Sequence, residues 1–293
     1  MSSGALPSAK ALAAPRLNSL RRLRSRLGGG GQLALAFLIL MVLVAIFAPL
    51  LAPSDPNAQN LLEPFAGISS SHLLGTDGLG RDLLSRMIWG SRTSLLGPVI
   101  VVFVATAIAI PLAILAAWRG GIVDTIIARI FDILFAFPGI LLAILAVALY
   151  HPGLIPCAIS LGISYTPWIG RVARGAALRE RAKPYVEAAQ TQGASGFAVA
   201  TRHLIPNISG VIVAQVTINL GYALGDLAAL SFLGFGVQPP TPDWGVTLNS
   251  ETAILQGHPQ AALYAGILVV ACIVAFTHLG DKLTDEDALG ARG

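Results

Sequence analysis

The chain has 293 residues, of which 55% are hydrophobic and 12% charged, against roughly 25% charged in a soluble domain. One crossing of the hydrocarbon core takes about 20 apolar residues, so the hydrophobic complement suffices for about five to seven spans and leaves few residues for a water-facing globule. An ordinary soluble enzyme, a secreted disulfide scaffold and a nucleic-acid binder are excluded, and the net charge of +4 reflects which side of a membrane the charges lie on. The chain reads as an all-α integral membrane protein.

Six apolar stretches follow one another, at 33–52, 94–118, 125–150, 153–172, 208–235 and 261–279. Residues 1–32 form an Arg-rich tail whose arginines can sit near anionic lipid. The run 33–52 exceeds the 7–15 residues of a signal-peptide core and is expected to stay as the first transmembrane helix. Residues 53–93 make an extracytoplasmic segment. It opens with turn chemistry at Pro53, Asp55, Pro56 and Asn57, then passes through Gly75, Gly78 and Gly80. From Asp82 to Arg92 the pattern predicts an amphipathic helix, lying on the outer surface or leading into the second span. No Gly-x-x-x-x-Gly-Lys-Ser/Thr phosphate loop occurs anywhere in the chain.

Residues 94–280 hold the other five spans. Only His151 and Pro152 separate the third from the fourth, which predicts a tight hairpin. Pro111, Pro138, Pro156 and Pro167 fall inside spans, where neighbours can satisfy the freed backbone groups. Cys157 and Cys272 lie in apolar runs and read as packing residues. Residues 281–293 complete the chain as a C-terminal tail.

Sixteen of the 19 Lys and Arg residues fall on one side of this arrangement and only Arg81, Arg86 and Arg92 on the other. By the positive-inside rule both termini are cytoplasmic and the number of spans is even. The largest cytoplasmic loop is then 178–207. Lys183-Pro184 suits a helix start, Gly193 can end that helix in the left-handed conformation, and Phe197 to Leu204 forms a second short helix expected to stop at Pro206. Two short helices joined at a glycine make a compact knob suited to docking into a groove of a soluble partner.

Glu187-Ala188-Ala189, then Gly193, then Arg202-His203 and Ile205-Pro206-Asn207, placed between the fourth and fifth spans, resemble the EAA loop of ABC-importer permeases. The resemblance covers most of residues 30–287. Leu74-Gly75-Thr76-Asp77 with Gly80-Arg81-Asp82, Asp124, Arg129, Asp132 and Phe137-Pro138, the run Leu230-Ser231-Phe232-Leu233-Gly234-Phe235-Gly236, and Trp244-Gly245 are similar to the second (C-type) permease of dipeptide/oligopeptide importers. The resemblance implies a six-helix type I importer bundle with a cytoplasmic coupling-helix loop, in a bacterial inner membrane. It also implies a homologous second permease, two P-loop ATPase subunits carrying ATP and Mg2+, and an extracytoplasmic binding protein. No cofactor, metal or catalytic site is expected in the chain itself. Peptides are the family's commonest cargo, and related systems import nickel, glutathione or haem. Members usually carry a glutamate where this chain has Leu227, with Asp226 one place earlier and about 100° around the helix. A secondary transporter would typically show internal repeats, and no clear repeat is seen.

Ionisable residues inside spans are functional candidates by default. Arg129 and Asp132 share a helical face and can pair, either as a structural lock or in conformational coupling. Asp226 either lines the pathway, where it could meet a peptide amino group, or bonds within the bundle. Arg171 and Arg174 are expected to snorkel to the interface. Asp77, Arg81, Asp82 and Trp244 are candidate contacts for the extracytoplasmic binding protein.

Overall fold

A computed structural model describes residues 27–290 of the chain; residues 1–26 of the expected N-terminal tail lie outside them, and residues 28–32, also expected in the tail, are helical and open the first helix. The architecture is a helical bundle. Its elements are α1 (Gly28–Ile46), α2 (Ala48–Leu51), α3 (Leu83–Arg119), α4 (Gly121–Ala136), α5 (Gly139–Leu149) and α6 (Leu154–Arg181). After these come α7 (Pro184–Thr191), α8 (Gly196–Val199), α9 (Ile205–Phe232), α10 (Trp244–Leu248), α11 (Glu251–Leu255) and α12 (Gln260–Gly290). Among the described residues the only β pairing is one isolated bridge, Thr76 to Asp82.

Four of the helices are long and apolar enough to cross a membrane: α1, α3, the α8–α9 continuum and α12. The pair α4 and α5 meets that test only when taken together, bent by 79°. The expected unbroken third span is therefore a broken one. Its cause is Pro138, which lacks an N–H and pushes Phe137 into an extended conformation (φ −91°, ψ 127°). The expected fourth span, within α6, is not apolar enough to qualify. It carries Ser160, Ser164, Thr166, Arg171, Arg174, Arg179, Glu180 and Arg181 and packs against α3, α4, α5 and α9. A helix enclosed by its neighbours has little need of an apolar exterior.

The helix expected to begin at Asp82 runs unbroken into the second span, so α3 is 37 residues long, or about 55 Å at 1.5 Å per residue. Asp82 caps it by accepting from the Ser85 N–H at 2.8 Å. Pro206 does not stop the helix before it. The backbone widens into a π turn over Ala200–Leu204 directly ahead of the proline, which sits in the first turn of α9. Such a turn shifts the hydrogen-bond register where a proline offers no donor. The α12 helix likewise continues to Gly290, into the segment expected to be a tail.

The bundle is built around α3 against α6 and α9 against α12. Small residues bring these pairs close. A Cβ on Gly162 of α6 would lie 2.7 Å from Val104 of α3, and one on Gly280 of α12 would lie 2.4 Å from Ile218 of α9. Close approach through small residues is how helices associate where lipid supplies no hydrophobic drive. Val101, Ala105, Ala109, Cys157, Ala158, Leu161 and Ala223 lie in the main core. Cys272 is buried in a second cluster with Leu224, Trp244 and Ala265.

Candidate coupling knob and intramembrane cavity

The 184–206 knob sits against the C-terminal end of α3. Pro184 opens α7, and the helix ends as Gly193 takes φ +83°. No atom lies within 4 Å of where a Gly193 Cβ would be, so the glycine is required by backbone conformation and not by space. Val186 turns inward and is buried with Ile114, Ala117, Val199, Leu204 and Ile208. Glu187 and Ala188 stay exposed and Ala189 is half-buried. Gly196 packs so tightly on Trp118 that a Cβ there would stand 2.4 Å from the indole nitrogen.

A polar network ties the knob to the bundle. Tyr185 donates to Glu180, Asn207 Nδ2 donates to the Tyr185 oxygen at 2.7 Å, and Lys183 Nζ lies 2.8 Å from Glu180. Burial and the bond to Glu180 raise the Tyr185 hydroxyl above the ordinary phenol value. Burial alone would raise the Glu180 carboxyl, but the Lys183 and Tyr185 hydrogen bonds outweigh it and hold it below the usual range. Arg181 donates to the Ala117 carbonyl. The His203 ring is tilted against Tyr185 at 5.7 Å, whereas Arg202 and Pro206 are exposed. The structure thus sets Glu187 and Ala188 on the outward face of a knob seated by Val186, with Ala189 turned partly toward the bundle.

The break between α4 and α5 opens onto a cavity of about 320 Å³, lined among others by Phe135, Phe137, Trp168, Tyr222, Asn219 and Asp226. Of the two roles expected for Asp226, bonding within the bundle is seen, and the residue also borders this cavity. It accepts a hydrogen bond from Tyr165 at 2.9 Å and it lines this cavity. Asn219 is 1% exposed; its carbonyl accepts from Gln215 Nε2 at 3.0 Å, and its Nδ2 has no partner.

The charged residues of α4 form the expected pair and also reach across to α6. Arg129 and Asp132 are 3.7 Å apart and largely exposed. The nearer partner of Asp132 is Arg171 of α6, at 2.9 Å, and Arg174 holds Asp124 with both guanidinium arms. Arg171 and Arg174 therefore brace α6 against α4 instead of reaching alone toward the interface. Bidentate pairing of this kind fixes geometry as well as charge.

At the other end of α3, the 53–82 segment folds on itself. Asp77 accepts from the Leu79 and Arg81 N–H groups and from Arg81 Nε at 2.7 Å. His72 Nδ1 lies 3.0 Å from Asp82. The buried Arg86 donates to the Pro56 carbonyl at 3.0 Å. Trp244 is 1% exposed, its Nε1 donating to the Met87 carbonyl at 3.0 Å. Ser94 donates to Asp243 and accepts from the Trp244 N–H. Asp82 and Trp244, taken as contact candidates from sequence, are interior residues that staple this end together. Asp77 and Arg81 line a cleft of about 530 Å³ between the 65–86 and 239–261 segments.

Tyr165, Trp168 and Phe135 are site residues that sequence reading did not single out. Aromatic residues are ordinary core material, and only the fold shows that these line a cavity together with a carboxylate.

Comparison with known proteins agrees with this geometry. Residues 109–286 match the family described as binding-protein-dependent transport system inner membrane component, and residues 30–66 match the N-terminal TM domain of oligopeptide transport permease C. The dipeptide transport system permease protein DppC of Haemophilus influenzae is 34% identical over 262 residues, covering 87% of this chain and 89% of that protein. The glutathione transport system permease protein GsiD of Escherichia coli O157:H7 is 40% identical over 255 residues, covering 86% and 84%. Among solved structures, the MetNI methionine ABC transporter in an inward-facing form superposes with a TM-score of 0.58 at 18% identity, covering 70% of this chain and 97% of that one. That likeness concerns the fold. The chain belongs to the binding-protein-dependent transport system inner membrane components, as a multi-pass permease of an ABC importer.

Proposed function

We propose that this permease imports dipeptides or oligopeptides, with glutathione the second cargo class, and that its 184–206 knob transmits the work of ATP hydrolysis from separate ATPase subunits. Relatives named for dipeptide and for glutathione transport support the cargo. The observation that carries the coupling role is the knob itself: Glu187 and Ala188 face outward while Val186 anchors the same short helix in the bundle. In this reading the chain spans the membrane six times with both termini cytoplasmic, which the distribution of Lys and Arg supports. It pairs with a homologous permease and receives cargo from an extracytoplasmic binding protein near the 53–93 and 237–258 segments. It has no catalytic site of its own; ATP and Mg2+ reside on two P-loop partners. Closure of those partners draws the docked knobs together and tips a two-state bundle outward, and hydrolysis resets it.

The test exploits the +83° φ of Gly193. A β-branched residue is strongly disfavoured there, whereas asparagine tolerates that conformation. Gly193→Val is expected to abolish cargo uptake with membrane insertion intact, and Gly193→Asn to retain most of it. Normal uptake by a well-expressed Gly193→Val variant refutes the coupling role.

A further inference from the structure

The cavity at the break between α4 and α5 combines features that packing alone does not explain. Asp226 is the one carboxylate among its lining residues. The single hydrogen bond it receives, from Tyr165, leaves most of its four lone-pair sites open. Phe135, Phe137, Trp168 and Tyr222 surround the opening, and each is between 44% and 56% exposed. Asn219 keeps an unpartnered N–H on the same wall although the residue is 1% exposed. A buried amide donor with no acceptor is costly. Finally, α5 begins at Gly139, on the cavity wall, so the positive end of its dipole lies there. Backbone breaks at membrane depth are tolerated where they line a cavity.

These groups sort by charge. A carboxylate in a largely aromatic lining attracts a cation through charge, with Trp168 and Tyr222 the rings open to it, since the Phe135 ring already carries the Arg171 guanidinium at 4.4 Å. An amide N–H and a helix N-terminus attract an oxygen carrying negative charge. We propose that this cavity is a cargo subsite on the translocation path, taking an α-ammonium group at Asp226 and the neighbouring carbonyl or carboxylate oxygen at Asn219 and the start of α5. Its volume of about 320 Å³ is at the small end of ligand pockets, matching the backbone end of a short peptide and leaving its side chains to project outward. The subsite reads what all α-amino cargo shares and leaves discrimination among side chains to other components. This inference rests on the proposed peptide cargo and gives that cargo a second point of recognition, inside the permease.

The test uses the assembled importer in lipid nanodiscs without nucleotide and without binding protein, so that no other component selects the ligand. Glycyl-alanine is titrated while tryptophan emission is followed, with a Trp168→Phe importer subtracted to isolate Trp168. A saturable change is expected with glycyl-alanine and none with its N-acetylated form. In Asp226→Asn, which keeps an acceptor for Tyr165 and removes only the charge, apparent affinity is expected to fall about tenfold, in line with a charge-assisted bond. Asn219→Ala is expected to weaken binding by a smaller factor. Equal responses to the free and acetylated peptides, an Asp226→Asn titration matching wild type, or no Trp168 response to glycyl-alanine would overturn the subsite. Uptake by the same importer with its binding protein in liposomes is scored separately. Peptide uptake without Trp168-reported binding defeats the subsite alone, whereas binding without uptake of any peptide defeats the cargo assignment.

Discussion

Trp244 shows how much one residue can decide at the end of the bundle that carries the 53–82 segment. It is fully buried, donates to the Met87 carbonyl and packs with Leu224, Ala228 and Ala265, so it joins α3, α9 and α12 at one point. Trp244→Ala removes a large, fully buried side chain from the core, at a cost of about 3–5 kcal/mol. Thermal denaturation in detergent should show a clear fall in the melting temperature, with Trp244→Phe intermediate because it loses the indole donor but keeps most of the volume. A melting temperature unchanged in Trp244→Ala would mean that the three helices are held together elsewhere. Arg171 and Arg174 carry the complementary lesson. Their partners Asp132 and Asp124 are 39 and 50 positions away, and no local pattern announces such a pair. Arg129 and Asp132, three apart, were legible as a pair because helical geometry alone brings them near, yet the structure gives Asp132 a closer partner in Arg171.

Among the elements, the most consequential departure from a regular span is the break at Phe137-Pro138. The apolar run 125–150 reads as one helix because every residue in it is compatible with lipid, and a proline in a membrane helix commonly does no more than kink it. Here the chain turns by 79° and restarts at Gly139. Pro138→Ala restores the missing N–H and relieves the restriction on Phe137, which favours joining α4 to α5. Uptake should then fall severalfold while the protein remains folded, with reduced accessibility of a cysteine placed at position 137, which is exposed on the cavity, to a small polar thiol reagent. Unchanged labelling at that position would show that neighbouring helices impose the bend whatever residue stands there. The knob is the opposite case. Pro184, Glu187, Gly193 and the small residues between them state its geometry in order along the chain, so its first helix and its glycine turn could be read directly. The continuation past Pro206 could not, because a π turn depends on how Leu204 and Ile208 seat in the core and has no sequence signal of its own.

For the whole molecule, composition and hydropathy set the class and the approximate place of the long apolar helices α1, α3, α9 and α12, since lipid favours apolar side chains where a helix faces it. What they missed follows from the same physics. The α6 helix is shielded by α3, α4, α5 and α9, so it tolerates hydroxyls and arginines that blur its hydropathy, and the cavity at Asp226 exists only because three segments distant in sequence, 135–139, 164–168 and 219–226, converge. The molecule is polarised along α3. Its first residues anchor the segment stapled by Trp244 and Arg86, and Trp118 near its last turn receives the knob. One continuous helix of 37 residues, about 55 Å at 1.5 Å per residue and with Pro98 and Pro111 inside it, connects the two ends, and the proposed coupling passes a push at the knob along it. The most direct test of that account is photo-crosslinking from position 188, where the side chain is exposed on the outward face of the knob. With a benzophenone residue there, in native membranes, the account predicts one dominant adduct with a P-loop ATPase, strengthened when nucleotide closes the ATPase dimer. Efficient transport with adducts only to a second copy of this chain, or with no adduct at all, would contradict it.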